Sequence, residues 1–148
     1  MSEKVRVSIE SDGDLIKARA AARELALQLG FSRTDATLIA TAVSEVGRNI
    51  VVHVGKGELT MRSLQESSRY GLEVVAEDRG VGIRDIQAAL DEGYAGRGGL
   101  GLGLPGARRL MDEFHLESDA DRGTKVAMTK WRVRDELERL RARRRLRS

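Results

Sequence analysis

Hydrophobic and polar residues alternate in some stretches of the chain and follow a helical spacing in others. Residues 5–9 alternate, which is the period of a half-buried strand. Asp12-Gly13 breaks the alternation, and a helix is predicted from Asp14 onward because hydrophobic residues then recur every three or four positions. These residues are Leu15, Ala18, Ala22, Leu25 and Leu29. Gly30 follows them at the position expected of a helix C-cap.

A second helix is predicted after Ser32, whose side chain suits an N-cap, with Asp35 in the first turn. Its apolar stripe consists of Ile39, Val43, Val46 and Ile50. Glu45 and Asn49 lie one turn apart on a neighbouring face, where a carboxylate and a carboxamide can share one ion or one water. For an isolated pair of this kind, a solvated helix face is the commoner explanation.

The remaining patterns predict two hairpins and two further helices. These are strands 59–63 and 72–77 joined by the polar stretch 65–69, a short helix over 83–90, a helix from Pro105 through Phe114, and strands 115–118 and 125–131. Pro105 suits the first position of a helix, because the backbone N–H that proline lacks is not needed there. His53 and His115 are too isolated to form a metal site.

Two glycine-rich stretches follow the strand predicted over 72–77. Asp78 ends that strand, and Gly80 and Gly82 come soon after it, where glycine leaves the backbone uncovered by side chains. Five glycines then fall within eight positions, too many for a helix or strand interior: Gly96, Gly98, Gly99, Gly101 and Gly103. The layout predicts a nucleotide site with one rigid end and one mobile end. Taken alone, Asp78 is more simply explained as a turn-forming acid before glycine.

The composition limits the chain to a few classes of protein. A chain of 148 residues, 41% hydrophobic and 33% charged, fits one globular domain with a real core. It has no cysteine, which excludes disulfides and thiolate metal sites. No apolar run is long enough to span a bilayer, and no signal-peptide hydrophobic region follows the first residues. We therefore expect a cytoplasmic protein that does not contact membranes.

The positive charge of the chain is concentrated at its C-terminal end. Residues 132–148 hold eight arginines and three acidic residues, a local charge of +5 in a chain whose net charge is +3. We therefore divide the chain into a globular domain, 1–131, and an arginine-rich tail, 132–148. Leu137, Leu140 and Leu146 allow a helix in the tail, and a frayed or partner-dependent segment is an equal alternative. Eight arginines without aromatic residues between them would bind phosphate backbones with little base selectivity. Nucleic-acid binding by the tail ranks low, because basic termini often only aid solubility or contact an acidic partner.

Four motifs together resemble the conserved boxes of the GHKL (Bergerat-fold) ATPases. They are Glu45-x-x-x-Asn49, Asp78-x-Gly80-x-Gly82, the stretch 99–104 of alternating glycine and leucine, and Gly123-Thr124. Within that superfamily, residues 5–131 resemble the RsbT-like serine/threonine kinases of bacterial partner-switching modules. The resemblance implies an α+β fold: a two-layer α/β sandwich with a mixed, mostly antiparallel sheet and helices on one face.

The resemblance also implies a role for each matching residue. Asp78 contacts the adenine amino group and Thr124 supports it, while Gly80 and Gly82 let the backbone approach the nucleotide. Asn49 is a Mg²⁺ ligand. The lid over the ATP phosphates contains Gly99, Gly101, Gly103 and Leu104.

Glu45 matches the general base that the resemblance implies, orienting the hydroxyl of a protein substrate for attack on the γ-phosphate. Arg97 is either a γ-phosphate ligand or a solvated loop residue. Arg48 is assigned to a partner contact or to a surface ion pair.

The implied function is phosphorylation of a STAS-domain antagonist of the RsbS/RsbR type, using ATP and Mg²⁺. By resemblance, the released kinase then activates a PP2C-type phosphatase of the RsbU type. The alternative is an anti-sigma factor of the related RsbW or SpoIIAB type, with kinase activity toward its antagonist. Co-purification with a STAS protein or with a sigma factor separates the two.

Overall fold

A computed structural model describes residues 4–80, 103–119 and 122–147. Its elements, in chain order, are β1 (Lys4–Ile9), α1 (Asp12–Gln28), α2 (Arg33–His53), β2 (Gly57–Gln65), β3 (Arg69–Asp78), α3 (Gly103–Leu110), β4 (Glu113–Asp119), β5 (Gly123–Val133) and α4 (Glu136–Arg147). The predicted helix over 83–90 lies outside the described residues, as do Gly82, Arg97, Gly99 and Gly101. The expected α+β fold is confirmed.

The five strands form one sheet in the order β1-β2-β3-β5-β4, and each neighbouring pair is antiparallel. The register places one row of residues across the end of the sheet. Asp78 of β3 lies opposite Gly57 of β2 on one side and opposite Thr124 of β5 on the other. Thr124 in turn lies opposite Ser118 of β4. Three polar side chains are therefore neighbours at one end of adjacent strands.

The core lies between the sheet and the packed pair α1 and α2. Because side chains alternate along a strand, every second residue of the central strands enters this core. The sheet contributes Ile9, Leu59, Met61, Leu72, Val74, Val126 and Met128, and the two helices contribute chiefly Leu15, Leu25, Ile39, Val43, Val46 and Ile50. The apolar stripe predicted for α2 is fully buried. Of the described helices, none is both long and apolar enough to cross a membrane.

The observed boundaries of two helices, α1 and α3, refine or correct the predicted ones. Ser11 caps α1, which begins at Asp12 rather than Asp14, and Gly30 follows the helix with φ +87°, a conformation that favours glycine. Helix α3 begins at Gly103, two residues before the predicted Pro105. It also ends at Leu110, so the prediction of a helix through Phe114 is wrong.

The early end of α3 has a structural cause. The backbone N–H of Asp112 donates to the carbonyl of Thr129 at 2.9 Å, which brings the chain into register with β5. The ammonium group of Lys130 donates to the carbonyl of Leu110, also at 2.9 Å. Phe114 consequently lies in β4, opposite Met128.

The first residues of the predicted tail are packed against the domain. Arg132 donates from Nε to the carbonyl of Leu29 at 2.7 Å, and its Nη1 and Nη2 form a bidentate pair with Glu138 at 2.9 and 2.7 Å. Arg134 is buried, with its guanidinium 4.0 Å from the centre of the Tyr70 ring. The Arg132 guanidinium lowers the pKa of Glu138 to about 2. The helical alternative for the tail is the one observed, as α4.

Candidate active site

The carboxylate of Asp78 is fixed at the end of β3. Only 6% of the residue is exposed, and its Oδ1 accepts hydrogen bonds from the N–H groups of Gly80 at 2.9 Å and Thr124 at 3.3 Å. Among the described residues, both hydrogen bonds to this side chain end at Oδ1. Oδ2 is therefore available as an acceptor, with an orientation set by two backbone groups.

The start of β5 approaches Asp78 closely because residue 123 is glycine. Gly123 has φ +86°, and a Cβ there would lie 2.1 Å from the backbone oxygen of Asp78. This close approach places the adjoining Thr124, itself 6% exposed, beside the Asp78 carboxylate. The structure thus brings together two of the residues that the sequence predicts for the adenine end, together with Gly80.

Ser118 is a third side chain at this end, and sequence analysis did not identify it. Its Oγ lies 2.9 Å from Oγ1 of Thr124, within hydrogen-bonding distance. A cavity of ≈ 400 Å³ borders the group and is lined by Asp78, Ser118, Thr124 and the charged residues Arg122 and Lys125, among others. Only the register of the last hairpin reveals this neighbour, since Ser118 belongs to no recognisable motif.

Glu45 connects α2 to the beginning of α3. The residue is 6% exposed, and its Oε2 accepts a hydrogen bond of 2.7 Å from the backbone N–H of Gly103. Gly103 has φ +53° and opens α3, so the carboxylate lies at the positive end of that helix. Leu104 is 3% exposed and belongs to the hydrophobic core. Of the predicted lid residues, Gly103 and Leu104 are the two within the described part of the chain.

Asn49 lies one helical turn after Glu45 and is half-buried. Within the described ranges its carboxamide makes no hydrogen bond, so its oxygen is available to a ligand. Helix α2 also contacts β3, the strand that ends in Asp78. The described residues contain no group of three His, Cys, Asp or Glu side chains able to hold a metal ion. A single carboxamide oxygen suits an ion such as Mg²⁺, which keeps several waters and takes its other ligands from phosphates.

A cleft of ≈ 620 Å³ runs between α1 and α2 beside Glu45. Ile16 and Val52 line it and are 71% and 59% exposed, and exposed apolar side chains that share one cleft can mark a protein contact. Arg19 and Arg48 also line the cleft, and the Nε of Arg48 is buried with no hydrogen-bond partner in the described part of the chain. Within the described residues Arg48 forms no ion pair, so the surface ion pair considered from sequence is absent there.

Comparisons with known proteins agree with the resemblance inferred from the four motifs. Residues 9–130 match the family described as "Histidine kinase-like ATPase domain". The chain is 42% identical over 131 residues to serine/threonine-protein kinase RsbT of Bacillus subtilis (strain 168), covering 88% of this chain and 98% of that protein. It is 32% identical over 118 residues to an anti-sigma F factor of Clostridium novyi (strain NT), covering 76% and 82% of the two chains. Helix α4 lies beyond the residues that match the family.

Proposed function

Since the chain belongs to the histidine kinase-like ATPase family, we propose that it is a protein kinase that transfers the γ-phosphate of ATP to a serine or threonine of a STAS-domain protein. The observation that carries this proposal is the 42% identity to a serine/threonine-protein kinase over nearly the whole length of that relative. The kinase domain is proposed to be residues 1–131, residues 132–148 are the tail, and the protein is proposed to act in the cytoplasm.

Adenine is proposed to bind at the Asp78 end of the sheet. The free Oδ2 of Asp78 is suited to accept a hydrogen bond from an exocyclic amine, and Thr124 lies beside it. A buried carboxylate is selective, because a base that offers no donor leaves it unpaired. The backbone N–H of Gly80 donates to the Asp78 carboxylate. Gly80 and Gly82, which lack side chains, are proposed to let the nucleotide approach the backbone.

The phosphates are proposed to lie between α2 and the start of α3. Asn49 would hold Mg²⁺, which when bound neutralises phosphate charge. The backbone of Gly99, Gly101, Gly103 and Leu104 is assigned to the lid over the phosphates. The positive end of the α3 dipole favours an anion there. Because the Gly103 N–H is already donated to Glu45, nucleotide binding and the position of Glu45 are expected to be coupled.

Glu45 is proposed as the general base for phosphoryl transfer. The oxygen of the acceptor hydroxyl attacks the γ-phosphorus, the bond from that phosphorus to the bridging oxygen of ADP breaks, and the hydroxyl proton passes to the Glu45 carboxylate. Orientation of the hydroxyl matters more than base strength in such a step. The hydrogen bond from Gly103 supports this role by orienting the carboxylate.

The cleft beside Glu45 is proposed to receive the acceptor protein. Ile16 and Val52 offer apolar contacts at its edge, and Arg48 offers a guanidinium whose Nε has no partner within the described residues. A segment carrying the acceptor hydroxyl and a nearby carboxylate complements these groups. By the same similarity, the released kinase is proposed to activate a PP2C-type phosphatase.

A second candidate is an anti-sigma factor that phosphorylates its antagonist, supported by the 32% identity to anti-sigma F factors. The higher identity and fuller coverage of the kinase RsbT favour the first candidate. Affinity purification of the tagged protein from its own cells separates the two. The kinase proposal predicts a STAS protein bound without a sigma factor, whereas a stoichiometric sigma factor would favour the second candidate.

A further inference from the structure

Ser118 and Thr124 form a pair of hydroxyl groups next to the Asp78 carboxylate. They lie opposite each other on β4 and β5, and their oxygens are 2.9 Å apart. The N–H of Thr124 donates to Asp78, so its backbone is fixed by the same carboxylate that borders its side chain. Either hydroxyl is able to donate in this pair, because each carries one proton and two lone pairs.

We propose that Ser118 is a positioning residue that directs the Thr124 hydroxyl proton toward the bound base and thereby favours adenine over 6-oxopurines. The inference rests on the proposed nucleotide site and adds to it a residue that contacts the base only through Thr124. Ser118 donates to Oγ1 of Thr124, and Thr124 then donates its own proton toward the base. Hydrogen bonds arranged in such a chain polarise and strengthen one another.

The chemistry of the two classes of purine explains the selectivity. Adenine presents an amine donor and, beside it, a ring nitrogen that accepts. Hypoxanthine and guanine present a carbonyl acceptor and a ring N–H donor at the same two positions. Asp78 Oδ2 is an acceptor and suits the amine, so the neighbouring position requires a donor. A Thr124 hydroxyl that was free to rotate would accept from the ring N–H of a 6-oxopurine as readily as it donates to adenine.

The opposite direction of the hydrogen bond between Ser118 and Thr124 predicts the opposite preference between the two classes of purine. If Thr124 donated to Ser118, it would offer the base only lone pairs and would favour the ring N–H of a 6-oxopurine. Removing Ser118 would then improve discrimination in favour of ATP. The sign of the change therefore tests the proposed direction and not merely the importance of the residue.

The test compares the dissociation constants of ATP and inosine triphosphate by calorimetry for the full chain and for Ser118→Ala. We expect the ATP constant to rise about 3- to 10-fold, as for the loss of one hydrogen bond, and the inosine triphosphate constant to fall, because the freed Thr124 hydroxyl can then accept from the ring N–H. Ser118→Thr keeps the hydroxyl and is expected to show the wild-type ratio of the inosine triphosphate dissociation constant to the ATP dissociation constant. Thr124→Val is expected to lower this ratio of dissociation constants by a similar factor. The double variant Ser118→Ala/Thr124→Val is expected to show no further change in the ratio. Ser63→Ala, a buried serine on β2, is the matched control.

Three results overturn the inference while leaving the proposed function intact: equal weakening of both nucleotides by Ser118→Ala, no change in either, or a higher preference for ATP. Equal weakening would indicate a structural role only. A wild-type chain that binds neither nucleotide would overturn the proposed function itself, and this inference with it. Thermal unfolding of each variant shows whether the fold is retained.

Discussion

The backbone N–H of Gly103 donates a 2.7 Å hydrogen bond to Oε2 of Glu45, across a sequence separation of 58 residues. The proposed general base therefore also holds the start of the helix that follows the glycine-rich stretch. Two proposed functions, orientation of the acceptor hydroxyl and attachment of the start of α3, would then depend on one carboxylate. Substitutions at Glu45 need to be chosen so that each function is lost alone.

Glu45→Gln and Glu45→Ala are expected to differ in stability. Glutamine keeps an oxygen that accepts from Gly103, whereas alanine leaves that N–H without its partner. We predict that urea unfolding shows a loss of about 1 kcal/mol for Glu45→Ala and less than half of that for Glu45→Gln. ATP binding is expected to persist in Glu45→Gln. Equal destabilisation by the two substitutions would show that the hydrogen bond does not hold α3.

Asp78→Asn is expected to abolish most ATP affinity without unfolding the domain. The asparagine oxygen can replace Oδ1 and accept from Gly80 and Thr124, but its NH₂ group replaces Oδ2 and faces the adenine amine with another donor. We predict an increase of about 10- to 100-fold in the ATP dissociation constant, measured by calorimetry. Glu24→Gln is the control, because Glu24 is exposed on α1 and does not line the cavity at Asp78. Wild-type affinity in Asp78→Asn would exclude Asp78 from the adenine site.

Arg48→Ala is expected to weaken binding of the acceptor protein and to leave binding of the nucleotide unchanged. Its side chain lines the cleft between α1 and α2, and its Nε has no hydrogen-bond partner in residues 4–80, 103–119 and 122–147. We predict about a 5- to 10-fold higher KM for the protein substrate, with the KM for ATP unchanged, from initial rates of phosphorylation. Arg33→Ala, at the exposed start of α2, serves as the control. A higher KM for ATP in Arg48→Ala would instead place the residue in the nucleotide site.

The pair between Arg132 and Glu138 is expected to make the attachment of α4 dependent on pH. The Arg132 guanidinium lowers the pKa of Glu138 from its ordinary value of 4.5 to about 2, so the stabilisation that the charged Glu138 contributes is complete above pH 4.5 and is lost as the pH falls toward 2. We expect the pair to contribute about 1 kcal/mol, since solvent screens it.

The measurement is the free energy of unfolding of wild type and Glu138→Gln at several pH values. Their difference is predicted to be largest near neutrality and to shrink below pH 4.5. Glu24→Gln, an exposed position on α1, is the control substitution. A difference that stays constant from pH 7 to pH 3 would show that the Glu138 charge does not stabilise the fold.

Sequence periodicity predicted the helices and strands whose buried residues recur at a regular spacing along the chain. The stripe along α2 and the alternation in β1, β2 and β3 depend on residues a few positions apart, and all of them occur where expected. Asp78 was predicted as a site residue from a local pattern too, because a strand end followed by two glycines is visible in the sequence.

The features that sequence analysis missed depend on residues far apart in the chain. Ser118 meets Thr124 only through the register of one hairpin, and Glu45 meets Gly103 only because α2 and α3 pack together. Arg132 and Arg134 were counted as free tail charges from composition. In the fold they are bound by Leu29, Glu138 and the Tyr70 ring.

The most direct test of the proposed kinase is transfer of label from [γ-³²P]ATP to purified STAS-domain proteins from the same cells, by wild type and by Glu45→Gln. The proposal predicts label on a serine or threonine of one such protein with wild type, and none above background with Glu45→Gln, although that variant still binds ATP. If no STAS protein were labelled, or if Glu45→Gln transferred as much label as wild type, the result would contradict the proposed kinase function.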